Sequence, residues 1–128
     1  MSAETFELAA EAVAAPGWRW LPGMLDTDGV RYCTLVDGRP HGTTQSGHAS
    51  MVRGLPDLDD AATLGCLLAL VREAWGVPSL QCGHVGGWDD DWDTWQVSNP
   101  PGRGHGCCFK GTGPSEEAAL VAALRGAP

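Results

Sequence analysis

Leu80-Gln81-Cys82-Gly83-His84-Val85-Gly86-Gly87-Trp88-Asp89-Asp90-Asp91-Trp92-Asp93-Thr94-Trp95-Gln96-Val97-Ser98 admits two readings, and the choice between them decides the fold. Trp88, Trp92 and Trp95 stand at offsets of four and three, the spacing of one stripe on a helix. Trp95 and Val97 instead alternate with Thr94, Gln96 and Ser98, as in a strand with one face turned inward. The alternation continues into β-favouring residues, so the stretch reads as two strands, 80–85 and 92–98, joined by a turn over 86–91. Trp95 and Val97 are then core residues, and a third strand over 105–110 follows the loop 99–104.

Working outward, the clearest helix lies over 59–76. Asp59 caps it, Leu64, Leu67, Leu68, Val71 and Trp75 form its apolar stripe, Gly76 closes it and Pro78 forbids continuation. At the C-terminal end Ser115 caps a helix that begins Glu116-Glu117 and carries Leu120, Val121 and Leu124 on one edge. At the N-terminal end Phe6, Ala9, Ala10 and Val13 recur at helical spacing, with Glu4 and Glu7 at the positive end of the dipole and Pro16-Gly17 as the stop. Trp18 and Trp20 alternate with Arg19, as in an extended segment that packs both indoles inward. Val30 to Val36 reads as a strand between the turn signals Asp28-Gly29 and Asp37-Gly38. Residues 38–56 read as a long polar loop, with 49–53 able to pair back on that strand.

The expected fold is a single α+β domain over 1–128. An antiparallel sheet of four to five strands is packed by two to three helices, in two or three layers. Hydrophobic residues make up 43%, which suits a folded chain rather than a disordered one. The longest apolar run, Cys66 to Val71, is far below the roughly 20 residues of a membrane span, and residues 1–7 have no secretion-signal character. A cytosolic setting follows as the expectation, and five cysteines there are free thiols rather than a disulfide framework. Sixteen acidic residues against eight basic ones give a net charge of -8, which disfavours nucleic acid and anionic lipid and favours a partner with a basic surface.

Four constellations carry chemistry. Cys82-x-His84 and His105-x-Cys107 each place two soft ligands on one side of an expected strand, so neighbouring strands would assemble a tetrahedral zinc site. Asp89, Asp91 and Asp93 match the first offsets of a calcium loop, but Thr94 and Pro100 stand where Gly and Glu are needed. Cys107 or Cys108 beside His105 would supply nucleophile and base for a thiol-dependent enzyme, yet no orienting acid stands out. Gly102-Arg103-Gly104-His105-Gly106 lacks the ending of a phosphate loop. What remains is Trp88-Asp89-Asp90-Asp91-Trp92-Asp93, an acidic segment with aromatic edges suited to meeting Arg or Lys on another protein. No catalytic residue and no cofactor is expected, with zinc as the alternative.

Residues 16–25 (Pro-Gly-Trp-Arg-Trp-Leu-Pro-Gly-Met-Leu), the 55–76 segment and Ser-Glu-Glu-Ala-Ala-Leu-Val-Ala-Ala-Leu over 115–124 together resemble a set of small bacteriophage and prophage proteins, similar to the phage sandwich type of small α/β domain. The resemblance covers both ends and the central helix, and is weakest over 38–54 and 82–110. It implies no catalytic residues or cofactor. It implies instead a phage accessory protein in a bacterial cytosol, of a kind that often binds and blocks a host or defence component, as anti-CRISPR proteins do.

Overall fold

The computed structural model describes residues 2–85, 94–98 and 109–128. Within them the order is α1 (Ala3–Ala14), β1 (Arg31–Val36), β2 (Arg39–Thr43), β3 (Ala49–Met51), α2 (Ala61–Trp75), β4 (Gln81–Val85), β5 (Thr94–Ser98), β6 (Gly111–Gly113) and α3 (Glu116–Arg125). The class is α+β. The single sheet of four or five strands expected from the sequence is replaced by two three-stranded antiparallel sheets, β1-β2-β3 and β4-β5-β6. The helix α2 separates the two strand groups along the chain, and each group pairs with its own sequence neighbours.

The first sheet corrects the expectation of a long polar loop over 38–56. Asp37 (φ 53°) and Gly38 (φ 78°) both adopt left-handed backbone, which makes a two-residue turn whose twist matches the strands it joins. Arg39 is thereby brought back against Val36, and β2 runs antiparallel to β1 despite its β-poor sequence Arg-Pro-His-Gly-Thr. Pro40 is tolerated because it faces Leu35 at a pair that exchanges no backbone hydrogen bonds; its carbonyl accepts from Val52 on the other side, at 2.9 Å. The 49–51 segment pairs with β2 rather than with β1.

Asp26 ties down the base of this sheet. It is 1% exposed, and its carboxylate accepts from four backbone amides: Asp28 and Val30 on Oδ1 (3.0 and 2.8 Å), Arg53 and Gly54 on Oδ2 (3.2 and 3.3 Å). A second tie runs through Asp60, which caps α2 by accepting from the Thr63 amide at 3.0 Å. The cap is therefore one residue later than expected. The same carboxylate takes both ends of the Arg31 guanidinium, at 3.0 and 3.1 Å, and this holds the Asp60 carboxyl down at about 2. Buried Val30, Tyr32 and Val52 form a small cluster under the sheet. Trp20 packs on that cluster and on the main core, joining the two, and meets Trp18 and Tyr32 edge-on.

The strands expected over 80–85 and 92–98 pair antiparallel over their described residues, with Cys82 opposite Val97 and His84 opposite Trp95, and the expected turn over 86–91 lies outside the described residues. Val97 is fully buried and Trp95 packs partly buried on the same core. Of the third strand expected over 105–110, residues 105–108 lie outside the described residues; Lys110 donates to the Val97 carbonyl at 2.8 Å, and β6 follows at 111–113. Gly111 and Gly113 lie opposite Val97 and Trp95, on the side covered by α3. A Cβ on Gly111 would collide with the Ala123 amide and the Ala119 carbonyl, and one on Gly113 would stand 2.7 Å from the Ala118 Cβ. Only glycine lets α3 lie directly on this strand.

Around α3 the main core gathers Leu67, Leu70 and Val71 of α2, Leu80, Met24, Leu58 and the apolar edge Leu120, Val121 and Leu124. Ser115 caps α3 as expected, accepting from the Ala118 amide at 3.2 Å. Trp75 anchors α2 to α3 by donating to the Ala123 carbonyl at 2.8 Å, and the Lys110 ammonium lies 4.6 Å above its ring. Arg19 points outward from the Trp18–Trp20 segment and pairs with Glu73. No helix among the described residues is long and apolar enough to cross a membrane.

Candidate interaction surface

The ligand pairing suggested by the sequence is half visible. Cys82 and His84 alternate on β4 toward one side, as the strand spacing requires. That side is where α3 lies: the Cys82 thiol is 3.9 Å from the Glu116 carbonyl, and His84 stacks edge-on against Trp95 with centroids 5.3 Å apart. Burial first, then the charges of Glu116 and Glu117, push the Cys82 thiol up to about 11. His105, Cys107 and Cys108 lie outside the described residues, and the chain that follows them enters β6, on the far side of β5 from Cys82 and His84. Among the described residues, no group of three or more metal-ligating side chains converges. Trp88, Asp89, Asp90, Asp91, Trp92 and Asp93 also lie outside them.

The other described thiols differ in setting. Burial, and then the Asp60 charge, raises the Cys66 thiol, which points at the Pro22 carbonyl at 3.7 Å. Cys33 is exposed on β1, at the point where the β1–β2 register shifts.

Two surfaces emerge that the sequence reading did not identify. The first is α1. Of Phe6, Ala9, Ala10 and Val13, the residues at helical spacing, only Ala9 is buried; α1 turns Thr5, Ala9 and Ala12 inward, with Leu8 partly buried beside them. Small side chains bring the α1 backbone close to α3, in the same cluster as Ala119, Leu120 and Leu124. The cost of that close contact is that the large apolar residues turn outward. Phe6 is 43% exposed and Val13 39% exposed, with exposed Ala10 between them. Phe6, Ala10 and Val13 fall at i, i+4 and i+7, one continuous stripe on the solvent side. Glu7 lies nearest to that stripe, Glu11 and Glu4 lie further round the helix, and α1 contains no basic residue. Glu11 pairs with Arg125 at 3.3 Å, whereas Glu4 and Glu7 form no ion pair among the described residues.

The second is the tip of the β1–β2 hairpin. Leu35 (58% exposed) and Val36 (45%) stand clear of both buried clusters. Because Leu35 faces Pro40 at a pair without ladder bonds, its own N–H and C=O point to the open edge of the sheet. Nearer the base, that edge is covered by the chain itself, through Tyr32 to Met24 at 2.8 Å and Gly23 to Tyr32 at 2.9 Å. Segment 31–53 carries Arg31, Arg39 and Arg53 against Asp37 alone, so the acidic excess of the molecule lies elsewhere.

Comparison with family models, with curated proteins and with solved structures finds no match to this chain. Function is therefore argued from these surfaces.

Proposed function

We propose that this chain acts by binding another protein, as a small acidic phage or prophage accessory protein in the bacterial cytoplasm. Its target is a host or defence protein with a basic surface, inhibited by occupation in the manner of an anti-CRISPR. The observation that carries the reading is α1, which buries its small side chains and offers Phe6 and Val13 to solvent. Phe and Val are weaker helix formers than Ala, Glu or Lys, so neither local helix stability nor core packing explains them there. A contact with a second protein does. The net charge of -8 supports a basic partner, and the Trp88 to Asp93 segment adds four aspartates and two indoles to the same chemistry.

The test is capture from bacterial lysate by the tagged chain and by the double substitution Phe6→Ser/Val13→Ser. Both changes are at exposed sites, so the fold is retained. One stoichiometric basic protein on the wild type, lost on the variant, supports the proposal. Neutralising Asp89, Asp90, Asp91 and Asp93 to Asn reports separately whether the acidic segment takes part. Equal capture by wild type and both variants removes both surfaces from the account.

A further inference from the structure

We infer that the solvent face of the first sheet docks a short acidic segment of a partner protein, whose carboxylates are taken by Arg39 and Arg53. This surface is opposite in charge to the bulk of the molecule and independent of the contact proposed for α1.

The register of the sheet puts the two arginines side by side. Tyr32, Gly42 and Val52 are buried, so alternation along β1, β2 and the end of β3 turns their strand neighbours outward. Val36 lies opposite Arg39, and His41 lies opposite Met51. The Val52 amide donates to the Pro40 carbonyl at 2.9 Å, which carries the β2–β3 register past Met51 and sets Arg53 opposite Arg39. Arg39 thus has Val36 on one side and Arg53 on the other, and the next two outward rows are centred on His41 and Thr43. No outward position of the three strands is acidic, in a chain that carries -8.

Charge selects the occupant. Arg31, at the far end of the face, is already taken by Asp60. Arg39 and Arg53 are exposed and form no ion pair among the described residues, with Asp37 of the adjoining turn or with any other acid. Like charges facing each other on neighbouring strands repel, and a carboxylate between them relieves that repulsion while accepting paired hydrogen bonds from a guanidinium fork. Side chains two apart on an extended segment stand about 7 Å apart on one side, so Asp or Glu at alternate positions meets both arginines. A long polyanion is the poorer fit. The rest of the molecule repels it, and the outward positions offer no Trp, Tyr or Phe on which a base could stack.

The experiment uses a synthetic peptide alternating Glu with Thr, a matched neutral peptide alternating Gln with Thr, and a single-stranded oligonucleotide of the same charge as the first. Binding to the full chain is read by fluorescence anisotropy at low and at physiological salt. The Glu peptide should bind, more weakly as salt rises, and should bind more tightly than the Gln peptide or the oligonucleotide. Arg39→Gln/Arg53→Gln should weaken Glu-peptide binding at least about tenfold, whereas Arg125→Gln, which removes one charge from α3, should leave it unchanged. Circular dichroism and thermal unfolding confirm that each variant keeps its fold. The inference is overturned if the Glu peptide fails to bind at about 1 mM, if the Gln peptide binds equally, or if the double variant binds as well as wild type. Tighter binding of the oligonucleotide overturns it in favour of a nucleic-acid face. Self-association in sedimentation that the double variant abolishes overturns it in favour of a second copy. Lysate capture through Phe6 and Val13 needs neither arginine, so the double variant still carries its basic partner whichever way the peptide result falls.

Discussion

Replacing Asp26 with Asn removes half of a buried acceptor set and should destabilise the whole first sheet. An amide offers one oxygen, so if it keeps the shorter bonds from Val30 (2.8 Å) and Asp28 (3.0 Å), its NH2 is turned toward the amides of Arg53 and Gly54. Two hydrogen bonds to a charged oxygen are lost and two donors are set against a donor. Such bonds are worth about 1.5–3 kcal/mol each, and the two lost are the longer ones, so roughly 3 kcal/mol in total is a fair magnitude. For a chain of 128 residues that corresponds to a drop of about 10 °C in Tm. The assay is thermal and urea unfolding of Asp26→Asn beside Asp28→Asn, whose carboxylate accepts none of these bonds. The control should stay within about 0.5 kcal/mol of wild type. An Asp26→Asn chain that loses less than about 1 kcal/mol would refute the claim that one carboxylate holds the turn 26–30 and the strand end 53–54 together.

Gly111→Ala should destabilise by about 1–3 kcal/mol or more, because the clash is with α3 backbone that cannot rotate away; unfolding at wild-type denaturant concentration would show that α3 does not lie on β6 as described. Asp60 titrates lower in the folded chain, at about 2, than its ordinary 3.8, so its contribution is present above pH 3.8 and is lost as pH falls toward 2. An acid titration of stability should therefore show a step in that window that Arg31→Gln removes. In thiol labelling at pH 8, exposed Cys33 should react readily and Cys82, pushed up to about 11, only on unfolding; a further fast thiol would map to Cys107 or Cys108 and revive the thiol-enzyme reading. Protein purified without chelator should carry well under about one zinc per chain, and a full equivalent would restore the site built from Cys82, His84, His105 and Cys107.

Elements were legible where side chains, caps and breakers agreed. Gly76, Pro78 and the Leu67–Val71 stripe announced α2, and two adjacent aspartates left its cap uncertain by one residue. The hairpin carrying Trp95 and Val97 was legible because alternation and burial coincide. β2 and β6 were hidden for a shared reason: Arg-Pro-His-Gly-Thr and Gly-Thr-Gly have little strand preference, and tertiary partners place them. The Asp37-Gly38 turn did signal a hairpin, but its second strand had no pattern of its own to confirm it.

The candidate surface was harder to read than the fold. Periodicity locates an apolar stripe on a helix, but α1 has two, and the one of small residues goes inward because close approach to α3 favours it. Likewise, alternation put Cys82 and His84 on one side of β4, but could not say that α3 would be lying there. Phe6 and Val13 share the helical spacing of Ala9 in the sequence, and only burial shows that they face solvent while Ala9 faces the core.

The most direct test of the account is the mass of the complex recovered from bacterial lysate, measured by light scattering after gel filtration at physiological salt. The account predicts one basic partner per chain for wild type, and for Phe6→Ser/Val13→Ser a chain that elutes alone with its circular dichroism intact. A variant that still carries the same partner at the same stoichiometry would contradict it.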